Sequence, residues 1–282
     1  MCLVVLAWQA HPRYRLIAAA NRDEFHARPA APLGWWHEHP QLLAGRDLEA
    51  NGTWMGAARS GRFGMLTNFR ELAPRPDTAP SRGNLIPEFL DGFAPAAEFL
   101  RTLDARASQY AGFNLLLGDA TSLWYFSNRD ADSPRQLAAG LHMLSNHRLG
   151  TPWPKARRSR DRLHALMQSE QVDTDALLEL LADRRPAEEH EMPSTGLPLE
   201  WERALSAPFV LHPEYGTRCS TVLLVETDGR TVSLERRFDP AGAETGRTRF
   251  EFSTGEPAGA AFSAPRTADT RRPAAKGDDW PE

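Results

Sequence analysis

Cys2-Leu3-Val4-Val5-Leu6-Ala7-Trp8 and Tyr14-Arg15-Leu16-Ile17-Ala18-Ala19-Ala20, separated by His11-Pro12-Arg13, decide the fold. The first run is short, continuously apolar and rich in aliphatic side chains, which is the pattern of a strand buried on both faces. The proline turn returns the chain, and the second apolar run completes a hairpin of two core strands. The hairpin is expected to end at Asn21-Arg22-Asp23-Glu24-Phe25. Polar groups directly after a buried strand sit at a sheet end, where sites are commonly built. The other end of the hairpin begins with Cys2, a small residue that would become the amino terminus if Met1 were removed. A terminal cysteine carries a nucleophilic thiol and an α-amine that titrates near neutral pH, so one residue can hold nucleophile and base. Cysteine also packs as a small hydrophobe, and Cys2 alone favours that simpler role.

Working outward, the alternation continues. Residues 26–50 are rich in Pro, His and Trp and read as a surface loop. Residues 51–57 predict a turn and a strand, and 63–67 a strand running into Asn68-Phe69-Arg70. A proline-rich loop is expected over 71–83. Helical spacing over 86–106 is interrupted near Gly92 and Pro95, which predicts two short helices. Residues 113–117 and 123–126 read as another hairpin, and His142-Met143-Leu144 leads to Ser145-Asn146. Residues 154–169 and 175–184 predict helices, the second capped by Asp173 or Thr174. Residues 185–215 carry five prolines and read as a long irregular segment, a kind that is usually functional. Strands 220–226 and 231–237 flank the turn Thr227-Asp228-Gly229-Arg230, and 248–253 adds one more. From about Gly255 the composition predicts a disordered tail. The expected organisation is one domain over 1–254 of α+β class. Strands joined by short turns pair antiparallel. Two such sheets with helices outside, a four-layer α-β-β-α sandwich, is one outcome, and a single-sheet α+β fold is the other.

The 282 residues suffice for a substantial core, and the net charge of -4 offers no basic field for nucleic acid. The basic stretch from Lys155 to Arg162 is local and reads as the solvated start of a helix. The two cysteines, Cys2 and Cys219, form no CxxC, CxxCH or HExxH pattern, so no metal site is expected. The first apolar run has no basic region before it and is too short for a signal peptide, and no apolar stretch is long enough for a membrane span. A reducing, cytoplasmic setting is the expectation.

Asn21-Arg22-Asp23-Glu24, Thr67-Asn68 and Ser145-Asn146 each follow an expected core strand, and Arg218 precedes one. Singly, the Asn and Asp positions read as strand terminators, because they bond local backbone, and Arg218 reads as a solvated arginine. In order, together with the Met-Cys start, Gly52-Thr53-Trp54-Met55-Gly56, Leu66-Thr67-Asn68-Phe69-Arg70, Leu144-Ser145-Asn146, Trp153-Pro154-Lys155 and Tyr215-Gly216-Thr217-Arg218, they resemble the NRDE family, also called the transport and Golgi organization 2 family. The resemblance spans roughly residues 1–255. That family is similar in turn to the N-terminal-nucleophile hydrolases, whose fold is the α-β-β-α sandwich. Their cysteine branch includes penicillin V acylase and bile salt hydrolase.

The resemblance implies roles. Cys2 matches the nucleophile, Asp23 the carboxylate that orients the α-amine, Asn68 and Asn146 the oxyanion donors, and Arg218 the guanidinium beside the thiol. Asn21, Arg22, Glu24 and Arg70 accompany them as candidate ligand-binding residues. Fixed amide donors stabilise a tetrahedral oxyanion, and a guanidinium favours thiolate. One departure stands out. The acylases carry Arg-Asn-x-Asp, and this chain has Ala20 at the arginine position. Its Arg22 falls one residue before Asp23, so in an extended strand the two point to opposite faces. Two functions follow as expectations. One is a thiol-dependent hydrolase of a linear amide C–N bond that needs no cofactor. The other is a carrier of haem or a lipid-type ligand on the same fold, Cys2 or a histidine being able to ligate haem iron. A plain interaction protein is the third reading.

Overall fold

The computed structural model describes residues 3–71 and 79–254. Two antiparallel sheets lie face to face between two pairs of helices. The first sheet contains β1 (Leu3–Trp8), β2 (Tyr14–Phe25), β10 (Gly140–Leu144), β11 (Tyr215–Glu226), β12 (Arg230–Phe238) and β13 (Glu244–Ser253), in the order β10-β1-β2-β11-β12-β13. The second contains β3 (Ala30–Trp35), β4 (Leu42–Asp47), β5 (Met55–Ala58), β6 (Phe63–Asn68), β7 (Phe113–Gly118), β8 (Leu123–Ser127) and β9 (Arg135–Gln136), in sequence order. Helices α1 (Leu85–Asp91) and α2 (Ala96–Asp104) cover the second sheet. Helices α3 (Pro154–Leu166) and α4 (Thr174–Leu181) cover the first, and α5 (Leu199–Leu205) follows.

Period-two alternation sorts the opening hairpin between two apolar layers. Val4, Leu6, Trp8, Leu16, Ala18 and Ala20 pack against Leu43, Trp54, Met65 and Tyr125 in the space between the sheets. Leu3, Val5, Ala7, Ile17 and Ala19 pack under α3 and α4, against Ala156, Leu163, Leu177 and Leu181. A third layer joins α1 and α2 to the outside of the second sheet. The four-layer sandwich is therefore the architecture, and the single-sheet alternative is set aside.

Three expectations need correction. The segment 26–50 is not a loop throughout, because it holds β3 and β4. Pro32 disguises β3, which tolerates it as an edge strand with a register shift between Ala31 and Gly34. The irregular segment 185–215 contains α5, entered through Pro198, whose fixed φ suits a helix start. The second strand does not stop at Ala20. It runs on to Phe25 because β11 pairs with it along its length, from Glu226 opposite Tyr14 to Tyr215 opposite Phe25. The two short helices at α1 and α2 and the Asp173 cap on α4 match expectation. The basic stretch opening α3 is only partly solvated, since Lys155 and Ser159 are buried. Met1, Cys2, residues 72–78 and the expected tail beyond Thr254 lie outside the described residues.

Candidate functional site

The amino-terminal end of β1 is flanked on both sides by residues singled out from sequence. On one side Leu3 pairs with Asn21 of β2. On the other Val4 pairs with Leu144 of β10, so Ser145 and Asn146 follow at the same end. Cys2, bonded to Leu3, lies outside the described residues.

Asn21 and Asp23 share the helix-facing side of β2 with Ile17 and Ala19. Asn21 is fully buried and saturated. Its amide donates to the carbonyls of Leu181 (2.9 Å) and Pro208 (2.8 Å), and its oxygen accepts from Ser220 Oγ (2.6 Å). It ties β2 to the end of α4 and to the segment before β11. Asp23 is also buried, and its Oδ1 accepts from Thr217 Oγ1 at 2.7 Å. Thr217 accepts in turn from the Val210 amide, and the Tyr215 hydroxyl donates to the Asp23 carbonyl. Gly216, between those two partners, is needed for close approach: a Cβ there would lie 3.0 Å from the His26 ring and from the Val210 carbonyl.

A bulge makes this arrangement compatible with the neighbouring face. Thr217 pairs with Asp23 and Cys219 pairs with Arg22, so Arg218 is an extra residue in β11. Without it, Thr217 and Cys219 would share a face. With it, Thr217 and Ser220 reach Asp23 and Asn21 on the helix side, while Cys219 joins Ala20 in the layer between the sheets.

Arg22 faces that inner layer, opposite to Asp23 as extended backbone requires. It is buried, its Nη2 donates to Asp47 Oδ2 (3.0 Å), and its guanidinium lies over the Trp54 ring at 4.4 Å. Burial would raise the Asp47 carboxyl, but hydrogen bonds from Arg28 and the Ala50 amide, then the nearby charges of Arg28 and Arg22, hold it below the usual range. Arg218 Nη1 donates to the carbonyls of Phe25, His26 and Arg28. Desolvation and the charge of Arg22 push the Arg218 guanidinium down. Glu24 accepts from the Phe25 amide and lies 3.9 Å from Arg28.

The second flank links the two sheets. Thr67 Oγ1 donates to the Ser145 carbonyl (2.8 Å), and Asn146 Nδ2 donates to the Asn68 carbonyl (2.9 Å). The Arg70 amide donates to the Asn146 carbonyl at 2.7 Å. Asn114 and Tyr125 stand behind this junction: the Asn114 amide reaches Thr67 Oγ1 and the His147 carbonyl, and the Tyr125 hydroxyl donates to Asn114 Oδ1. Arg70 bonds Glu202 Oε2 (3.1 Å) and lies over the Trp153 ring at 4.7 Å. The segment holding α5 is thereby tied to the Asn68 flank through Glu202. Through Trp201, whose ring meets that of Tyr215 at 5.9 Å, it also reaches the Asp23 flank.

Asp23, Asn68 and Asn146 thus converge on one sheet end with Asn21, whereas Arg22 and Arg218 belong to its inner face. Thr217 and Trp54 lay inside stretches that sequence already marked. Asp47, Ser220, Asn114 and Glu202 carried no local signal, because each matters only through a partner distant in sequence. No group of three or more His, Cys, Asp and Glu among the described residues could hold a metal ion. Two surface clefts, one lined by Trp36 and Asp91 and one by Arg158 and Arg203, contain none of the candidate residues.

The model of the family described as Transport and Golgi organisation 2 matches residues 1–240. The chain belongs to that family. Curated relatives in the family include the Transport and Golgi organization protein 2 homolog of Bos taurus, 34% identical over 89% of this chain and 99% of its own length. The Homo sapiens homolog is 32% identical over 90% of this chain and 99% of its own. Among solved structures, a variant of conjugated bile acid hydrolase from Clostridium perfringens aligns with a TM-score of 0.50 at 9% identity, covering 88% of this chain and 92% of that one. This family member therefore has an N-terminal-nucleophile hydrolase-like fold. No helix among its described residues is long and apolar enough to cross a membrane.

Proposed function

We propose that the chain is a thiol-dependent hydrolase of linear amide C–N bonds, with Cys2 as nucleophile after removal of Met1. The observation that carries this reading is the convergence of Asp23 and of the Asn68–Asn146 pair on the two flanks of β1 at its amino-terminal end. Leu3, the residue bonded to Cys2, is paired with Asn21, two residues from Asp23. Consecutive Cα atoms lie ~3.8 Å apart, and this short reach from Leu3 supports the reading.

In the proposed reaction the Cys2 α-amine accepts the thiol proton. The thiolate bonds to the carbonyl carbon, and the electron pair of the C=O bond moves to oxygen. Amide donors of Asn68 and Asn146 stabilise that oxyanion. The ammonium returns its proton to the leaving nitrogen as the C–N bond breaks, and water then hydrolyses the thioester. Asp23 is a positioning residue for the amine, its own orientation fixed by Thr217. Arg218 favours the thiolate by its charge. The test combines intact mass of the purified protein with turnover of an amide panel. Free Cys2 in the active preparation and loss of turnover in Cys2→Ala are expected. Turnover by protein that retains Met1 would overturn the mechanism.

A second reading, a haem or lipid-type carrier in a cytoplasmic setting, is favoured by one observation. Arg22 is engaged by Asp47 and Trp54, and Ala20 stands where the acylases carry their arginine. Haem titration separates the readings: a carrier gives a saturable Soret shift without amide turnover. The same shift in Cys2→Ala would remove Cys2 as the iron ligand.

A further inference from the structure

We propose that Lys155 is a further positioning residue of the candidate site, its ammonium acting on Cys2 from the helix-facing side of the first sheet. The proposal rests on the reading of Cys2 as an amino-terminal nucleophile, but not on which bond is cleaved. Lys155 is the second residue of α3 and is 1% exposed. A lysine is almost never fully buried without an opposite charge. Its place in the helix adds to the cost. The first turn carries the positive end of the helix dipole, and that of α3 holds no acidic residue. A cation is therefore kept in a buried layer, at the end of a helix that repels it.

The start of α3 lies at the sheet end that holds the candidate residues. Trp153, just before the first turn, meets the His147 ring at 6.0 Å and carries the Arg70 guanidinium at 4.7 Å. His147 follows Asn146 directly, Arg70 lies two residues after Asn68, and the Arg70 amide bonds the Asn146 carbonyl. The helix packs on β1, β10 and α4, and Ala156, next to Lys155, belongs to the apolar layer that contains Leu3. Long helical side chains point back towards the amino terminus of their helix, which directs Lys155 to this sheet end.

The charged groups on the elements around α3 narrow the role. Strand β1 has none. His142 of β10 bonds the Ala138 carbonyl. On α4, Asp175 and Glu179 bond Arg247 and Arg236, and beyond it Asp183 is held twice by Arg185. Glu202 bonds Arg70. Asp23 is the buried carboxylate at the site end of this layer, and it is the group proposed to orient the Cys2 amine. A positive charge beside them favours a thiolate and disfavours an ammonium. Lys155 therefore acts on both groups of Cys2 in the direction the reaction needs: the amine stays neutral to accept the thiol proton.

The test follows alkylation of the full chain by iodoacetamide across pH, with the modified residue assigned by peptide mass. Cys219 is buried and is read separately. In wild type the Cys2 rate should inflect below the ordinary thiol value of about 8.5. In Lys155→Met, similar in length but uncharged, the inflection should move up by about one pH unit or more, the effect of one nearby charge. Lys155→Gln is a second neutral variant should Lys155→Met not fold. Lys155→Arg keeps the charge and should stay near wild type. An unchanged inflection in a folded neutral variant, or an equal shift in Lys155→Arg, overturns the role of Lys155 and leaves Cys2 as nucleophile. Retained Met1, or no alkylation at Cys2, overturns the Cys2 reading and this proposal with it.

Discussion

The two faces of β2 at its carboxyl-terminal half make opposite use of polar groups. On the helix side, Asn21 and Asp23 meet Ser220, Thr217 and the carbonyls of Leu181 and Pro208 at 2.6–2.9 Å. On the inner side, one residue away along the same strand, Arg22 and its neighbours Arg218 and Arg237 leave buried donors without acceptors among the described residues. Asn21 has both amide hydrogens and its oxygen engaged, which fixes its geometry, whereas the Arg22 guanidinium is held by one ion pair and a ring face. The single extra residue at Arg218 separates the two regimes, since it lets Thr217 and Cys219 take opposite sides of the sheet.

The largest effect is expected where saturation is most complete. Asn21→Leu keeps the volume but leaves the Leu181 and Pro208 carbonyls and the Ser220 hydroxyl buried without their partner. Three such groups predict a loss of about 3–5 kcal/mol, read as a lowered urea midpoint at unchanged slope. A loss below about 1 kcal/mol would mean that these groups find substitutes, and the contrast between the faces would collapse.

How far these faces could be seen in sequence follows from what each depends on. The β1–β2 hairpin was legible because its apolar runs are long and local, and the family motif marked Asn21, Asp23, Asn68 and Asn146 in order. The extension of β2 through Phe25 was not legible. Asn-Arg-Asp-Glu is a poor strand sequence, and beyond Asn21, which still pairs with Leu3, its described partner is β11, nearly two hundred residues away. For the same reason Arg218 read as a solvated arginine: a bulge is a property of two paired strands. Strand β3 was hidden by Pro32, and Glu202 by its position in a proline-rich stretch whose helix is anchored by Arg70.

A smaller effect separates positioning from folding on the helix side. Thr217→Val removes the donor to Asp23 Oδ1 and the acceptor of the Val210 amide, for about 2 kcal/mol. Under the proposed hydrolase reading, kcat should fall more than KM rises, because Asp23 loses its Thr217 hydrogen bond while the substrate contacts remain. Thr217→Ser retains the hydroxyl and should restore most of both. If Val and Ser behave alike in turnover, Asp23 does not need Thr217, and saturation on this face is structural only.

The smallest expected effect probes the inner side through pH. The folded state holds the Glu235 proton more tightly than the unfolded chain does, mainly through desolvation. Where folded protein binds more protons than unfolded, stability falls as pH rises. The contribution of Glu235 is therefore fully present below the unfolded value of 4.5 and is lost as pH rises from there through the folded pKa. Asp47 acts in the other direction and lower, its contribution disappearing as pH falls below 3.8 towards its depressed folded value. His142 and His147, both pushed down mainly by desolvation, add stability as pH approaches 6.5, so the wild-type profile mixes opposing slopes. Subtracting the profile of Glu235→Gln isolates the glutamate, because the Gln amide oxygen can still accept from Leu33. The difference should be small below pH 4.5 and then grow in favour of Gln to a plateau. A difference independent of pH would mean that Glu235 ionises in the folded state as easily as in the unfolded one, already balanced by Arg22 and Arg237. The inner face would then hold its charges in balance, as the helix-facing side holds its hydrogen bonds.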